Sequence, residues 1–337
     1  MSNIIKNTKM FLTSGDNNGC FAYRTKYPAE MLGKEYSAGY PVDDKRIKDS
    51  DVIQIQRATS EYFIDAIPSM QKEGKKFIYD IDDNLWEIPS YNPAYRPYNR
   101  HMLNITKQII GLCDVVTVST EPLKKYFIDK GFNDNIFVIP NFMHHLPEYR
   151  ESINNDVIVI GYVGTATHSG DFDSKLVKAI IQLLDKYSNL EFRCMGYNPL
   201  PYKNHPQIKF TPFVPIDEYN NTMYNLNIDI GIAPLINNEF NRCKSNIKFL
   251  EYSSNSTVTI ASNVYPYSNT IINNETGILI EDNKDWYSKL EMLISDVSLR
   301  KRLSKNAYSF VDANFTYKNN NTLIDSLYTQ VLESIYE

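Results

Sequence analysis

The chain has 337 residues, 42% hydrophobic and 22% charged, which excludes a disordered chain and suggests two domains that each bury a core. Its net charge of -5 excludes a general affinity for nucleic acid, although a local basic cleft is compatible with that balance. The 4 cysteines (Cys20, Cys113, Cys194, Cys243) form no CxxC pair, and no apolar run reaches the roughly 20 residues that span a bilayer, which argues against a zinc site and a membrane span.

In chain order, "KMFLTS" (9–14) reads as a strand. "GCFAYRTKYPAEML" (19–32) follows, where Gly19 turns the chain and Arg24 is placed to reach into a cleft. Further strands are expected at 51–56, 76–82, 114–119 and 135–140, with helical periodicity near 60–73, 99–112 and 120–130. Residues 141–156 turn polar and lose periodicity, as a linker does. The pattern restarts at "VIVIGYVG" (157–164), with strands at 190–196, 208–213, 228–235, 257–262 and 276–281. Helices are expected near 173–187, 217–225, 246–254, 285–295 and 298–312. A last helix, 318–335, places Leu323, Leu327, Val331 and Ile335 on one stripe and is expected to cross back onto the first half. This alternation predicts an α/β fold of two successive units, 1–145 and 156–317, with 318–337 returning to the first. Such paired units hold ligands in the cleft between them, so the residues just after strands are the candidates.

"FNRCKSNIKFLEY" (240–252) sets cations where a helix starts. With Ser245 as its cap, Lys244 stands beside the positive dipole end and Lys248 lies in the first turn, where a cation costs about 0.3–1 kcal/mol. Lys244, Lys248 and Glu251 then share a stripe at i, i+4 and i+7. A solvated face with an internal Lys–Glu pair is one account. The other is a diphosphate at the helix start, held by backbone N–H groups and lysines, with Glu251 accepting from sugar hydroxyls. In "GYVGTATHSGDF" (161–172), Gly164 allows close backbone approach and His168 lies at the rim. The pattern is not GxGxxG, and no acidic residue ends the next strand, so a nicotinamide dinucleotide is not expected. "YDIDDNLWEIP" (79–89) sends Asp80 and Asp82 to one side of a strand and starts a loop with Asp83. Capping of the next turn by Asp82 or Asp83, and pairing with Arg57 or Arg96, would account for these carboxylates without chemistry.

Together "YDIDDNLW", "DVVTVST", "VIPN", "IGYVGT" and "KSNIKFLEYSSNSTVTIASNVYPYS" resemble family-4 glycosyltransferases of the GT-B fold, and the bacterial enzymes of surface-polysaccharide synthesis among them. The likeness covers most of 157–312 and, through "YR…PAEML" and "YDIDD", parts of the first half. It implies two Rossmann-like domains facing across a cleft, with a nucleotide sugar held mainly by the second. It also implies transfer with retention, without a metal or other cofactor, to a glycan or lipid-linked acceptor held mainly by the first. On this reading Gly164, Thr165, His168, Arg242, Ser245, Asn246 and Lys248 bind the donor, with Phe213 and Val214 along the nucleobase. Lys244, Glu251 and Asp82 carry the chemistry, and Arg24, Arg57 and Asp83 face the acceptor. Two departures stand out. The family's Glu-x7-Glu motif keeps Glu251 but has Cys243 at its first position, and a thiol cannot accept sugar hydroxyls as a carboxylate does. The family's Arg and Lys after the first strand of the second domain are missing, which leaves Arg242, Lys244 and Lys248 as the diphosphate counter-charges.

The rivals are a non-catalytic nucleotide-sugar-binding subunit, a metal-dependent transferase using Asp80 and Asp82 as a DxD pair, and a sugar-nucleotide epimerase of the same fold. With no secretory segment at its start, the chain is expected in the cytosol, where a peripheral contact with the inner membrane face stays open.

Overall fold

The structure, a computed structural model, describes residues 1–40, 45–151, 156–200 and 205–337. Residues 152–155 of the expected linker lie outside the described residues. The first sheet contains β1 (Met10–Ser14), β2 (Glu35–Ala38), β3 (Val52–Gln56), β4 (Lys76–Ile81), β5 (Val115–Val118) and β6 (Ile136–Val138), in the order β2-β1-β3-β4-β5-β6. The second contains β7 (Ile158–Gly164), β8 (Leu190–Gly196), β9 (Ile208–Thr211), β10 (Ile230–Ala233), β11 (Val258–Ser262) and β12 (Ile278–Ile280), in the order β12-β11-β10-β7-β8-β9. Neighbouring strands run parallel throughout both sheets. Helices cover both faces, so central strands such as β1, β3, β5, β10 and β11 are buried from end to end. Strand order reverses beside β1 in one sheet and between β7 and β10 in the other. The loops that leave those strand ends are where such sheets bind ligands.

Each sheet has a core of its own. In the first, Ile53, Phe77, Tyr79 and Val116 pack with Ile67, Ile109 and Phe127 from the covering helices. In the second, Ile160, Phe192 and Ile232 pack with Ile180, Leu183, Trp286 and Leu290. A third cluster runs from Leu12 and Ile78 of the first sheet to Phe249 and Val311 of the second half without a break. The chain crosses between the halves twice, and the crossings are bonded together: Met143 N–H donates to Phe315 O at 2.7 Å, and Tyr317 N–H to Met143 O at 3.1 Å.

The last helix, Tyr317–Tyr336, lies against the helices Asn3–Asn7 and Tyr27–Leu32 and against β5, back on the first half. Of the expected stripe, Val331 and Ile335 are buried and Leu327 packs partly buried against the core, but Leu323 is not part of it. Ile324, Tyr328, Val331, Leu332 and Ile335 face the core, while Leu323 is 50% exposed. The helix begins one residue earlier than expected, and the i, i+4, i+7/i+8, i+11 ridge of a 3.6-residue period starts at Ile324.

Arg24 is a second departure. It sits in a π-helical stretch, Ala22–Lys26, whose wider winding turns its side chain inward. The guanidinium is 2% exposed and does not reach the cleft. Its Nε and Nη2 donate to the two Asp80 oxygens at 3.1 and 2.7 Å, and Thr117 Oγ1 donates to the same carboxylate at 2.7 Å. Asp80 therefore has a partner, but it is neither Arg57 nor Arg96. Among the described residues no helix is long and apolar enough to cross a membrane.

The stripe of the last helix can be measured. Leu332→Ala should destabilise the protein by about 2–5 kcal/mol through the cavity it leaves, whereas Leu323→Ala should stay within about 0.5 kcal/mol. Denaturant melts that show equal losses for the two would contradict this packing.

Candidate active site

Between the sheets lies a cavity of about 550 Å³ with residues of both halves in its wall. The first half contributes Asn18, Gly19, Cys20, Tyr23, Arg57, Asp82, Asp83 and Asn141. The second contributes Gly164, Thr165, Thr167, His168, Phe213, Ile216, Tyr219, Lys244, Ser245, Ile247, Lys248, Glu251 and Tyr267. Eleven residues singled out from sequence are thus brought together: Arg57, Asp82, Asp83, Gly164, Thr165, His168, Phe213, Lys244, Ser245, Lys248 and Glu251.

Four singled-out residues face elsewhere, besides Asp80. Arg24 is buried as described. Arg242 is 44% exposed and donates to Asn237 Oδ1 and Glu239 Oε2, both at 2.8 Å, because its short helix Glu239–Arg242 points the side chain back along itself. Asn246 donates to Thr270 Oγ1 at 3.2 Å, and Val214 packs against the apolar cluster shared by the halves. Ser245 is not the helix cap. The helix is Ile247–Ser254, its N-cap position is Asn246, and no side chain caps it. Lys244 consequently precedes the helix and is not part of its stripe, although Lys244, Lys248 and Glu251 all reach the same cavity.

The charges meet across this space. Lys244 Nζ lies 3.3 Å from Asp83 Oδ1 and 4.3 Å from the centre of the Phe240 ring. Arg57 Nη2 reaches Asp82 Oδ1 at 2.5 Å and Asp83 Oδ2 at 3.2 Å. Arg57 holds this position with a left-handed backbone, φ 55°, at the end of β3, a strain that surrounding contacts must offset. Burial would raise the Asp83 carboxyl, but Lys244 and Arg57 beside it hold it at about 2. Glu251 is bonded from both halves: Lys248 Nζ donates to Oε2 at 2.8 Å and Tyr23 OH to Oε1 at 3.4 Å. The Tyr219 phenol lines the same cavity and feels the same carboxylate. Burial first, then the Glu251 charge, pushes both phenols up, so they stay neutral donors.

His168 Nδ1 and Asp171 Oδ2 are 2.9 Å apart. Asp171 is fixed in turn by Ile236 N–H at 3.0 Å and Asn241 Nδ2 at 2.8 Å, which joins the loops after β7 and β10. Burial, reinforced by Lys244 and Lys248, lowers the imidazole below its ordinary value despite Asp171, so it is neutral near pH 7. At the far end, Gly196 has φ +84°, and a Cβ there would fall 2.5 Å from Gly164 O and 3.2 Å from the Phe213 ring. Glycine is required at that position, where the backbone of β8 approaches Gly164 and the 53% exposed Phe213 ring closely.

Cys243, at the first position of the acidic motif, does not face the cavity. It is buried in the core of the first half, with Asn84 Nδ2 3.5 Å from its sulfur and Thr120 Oγ1 donating to its carbonyl at 2.8 Å. Burial pushes its thiol up to about 11. Tyr23, Asn141 and Tyr219 were not singled out from sequence. Tyr23 lies in "YR…PAEML" and Asn141 ends "VIPN", which was the available signal; Tyr219 gave none.

The sequence profile of the glycosyl transferases group 1 family matches residues 148–310, the half that carries the lysines. No curated protein matches the sequence. Among solved structures, sucrose-phosphate synthase from Thermosynechococcus elongatus aligns with a TM-score of 0.68 at 13% identity, over 97% of this chain and 100% of that one. A glycosyltransferase from Rickettsia africae ESF-5 gives 0.64 at 15%, over 98% and 99%. HepE of Anabaena, solved with UDP-glucose, gives 0.64 at 12%, over 95% and 99%. At these identities the likeness is one of architecture: the chain has the GT-B fold, two Rossmann-like units with a group 1 glycosyl transferase match over the second.

Proposed function

We propose that this chain moves a sugar from a nucleoside diphosphate sugar to an acceptor hydroxyl. The observation that carries this reading is one cavity with Lys244, Lys248 and a helix start on one wall and Asp82 and Asp83 on the other. The group 1 match over the lysine-bearing half supports it. The diphosphate rests on Lys244, Lys248 and the uncapped N–H groups that open the helix Ile247–Ser254. The nucleobase lies against the Phe213 ring at the cavity wall, and Glu251 accepts from donor hydroxyls. Stabilising charge on the leaving diphosphate is the largest contribution such a site makes, and here two ammonium groups make it.

The acceptor enters from the first half, where Arg57 orients Asp82 to take the hydroxyl proton. Asp80 is no partner for a DxD metal pair, because Arg24 and Thr117 occupy its carboxylate. With lysines as the counter-charge, the reaction needs no divalent ion. Retention of configuration, a glycan or lipid-linked acceptor and a cytosolic site of action extend this reading along the family resemblance.

Lys244→Ala should weaken binding of a nucleoside diphosphate by about 1.5–3 kcal/mol while leaving the nucleoside unaffected, as calorimetry would record. Its melting temperature without ligand should fall slightly, because Asp83 loses a partner. Unchanged diphosphate affinity would return Lys244 to an ordinary ion pair. Asp82→Asn should lower the transfer rate far more than donor affinity, and transfer by the parent chain should persist in excess EDTA. Activity lost in EDTA and restored by manganese would overturn the mechanism.

A further inference from the structure

Ser245 and Asn141 stand on opposite sides of the boundary between the halves, and their hydrogen bond has a forced direction. A guanidinium only donates. Arg24 Nη1 lies 3.0 Å from one end of the Asn141 amide, so that end is the carbonyl, Oδ1. The other end, Nδ2, must then be what lies 3.0 Å from Ser245 Oγ, and the Ser245 oxygen accepts. A hydroxyl that accepts from one side still has its own proton to give. Among the described residues no acceptor takes that proton, and both residues line the cavity. Arg24 is held in place, since Nε and Nη2 donate to Asp80 and Nη1 also donates to Ile139 O at 2.5 Å. Arg24, Asp80 and Asn141 are all buried.

We infer that the chain Asp80–Arg24–Asn141 holds the Ser245 hydroxyl as a donor aimed at the bound diphosphate, with Asn141 as a positioning residue supplied by the first half. This inference rests on the donor reading above and deepens it. It makes diphosphate recognition depend on the seating of the two halves, because the serine that donates and the amide that sets its direction belong to different ones.

The test is a double-substitution cycle read by calorimetry with UDP, inorganic pyrophosphate and uridine. Ser245→Ala should weaken UDP and pyrophosphate about tenfold, the effect of one hydrogen bond to a charged group, and leave uridine unchanged. Ser245→Thr keeps the hydroxyl and should retain affinity. Asn141→Leu should weaken UDP and pyrophosphate severalfold in the parent and cause no further loss in the Ser245→Ala background. Additive losses, or full affinity in Ser245→Ala, would overturn the inference while the donor reading stands. If the parent binds neither UDP nor pyrophosphate, both fall. Should Asn141→Leu fail to fold, the Ala and Thr substitutions at Ser245 still decide whether the hydroxyl donates.

Discussion

The buried pair between Arg24 and Asp80 is the constraint on which the cleft depends. Both groups are 2% exposed, and water cannot stand in for a lost partner. Removing one side of such a pair costs about 3–5 kcal/mol, because the other charge stays in a medium that does not solvate it. Here nearly every polar atom is used. Asp80 takes Arg24 and Thr117, and Arg24 extends to Ile139 and Asn141. The pair therefore ties the helix after β1 to β4, β5 and the exit of β6 at the carboxyl edge of the first sheet. Tyr23, one residue away, is set against Glu251, and Asn141 is set against Ser245. A contact deep in one half thus fixes the wall that the other half completes.

The cleft itself is a balance of charges. Asp83 and Lys244 come from different halves and would both be costly there alone. Asp83 is depressed in the folded chain, so its contribution to stability is present above about pH 4, its unfolded value, and fades as pH falls toward 2. Over the neutral range the carboxylate stays ionised and the ammonium stays paired. An incoming diphosphate exchanges one anionic partner of Lys244 for another, without placing a bare cation in the cavity.

Much of the sheet architecture was legible because parallel strands covered on both faces read as unbroken apolar runs. β2 was not, since "EYSA" is a short edge strand with no fully buried residue. The helix Glu239–Arg242 was hidden by its length of one turn. Lys244, Lys248, Gly164 and His168 could be picked out because each lies after a strand or near a helix start, and Glu251 by its helical spacing from Lys248. Arg24 and Arg242 were misread for one reason: charge and position do not reveal direction. A π-helical turn rotates Arg24 inward, and an acidic neighbour three residues back draws Arg242 outward. Tyr23 and Glu251 are 228 positions apart, and no local pattern encodes a meeting of that kind.

Phe240 and Cys243 belong by chain order to the second half, yet their side chains finish the core of the first, beside Phe127 and Phe132. Residues between β10 and β11 thus act as a plug that the first sheet lacks on its own. The two units look modular in topology, each with its own six strands, but they are not interchangeable parts. A carboxylate at the place of Cys243 would bring a charge into a socket otherwise filled by apolar side chains. A change at Cys243 would therefore disturb the core of the first half, and one at Asn84 would remove the donor that faces its sulfur.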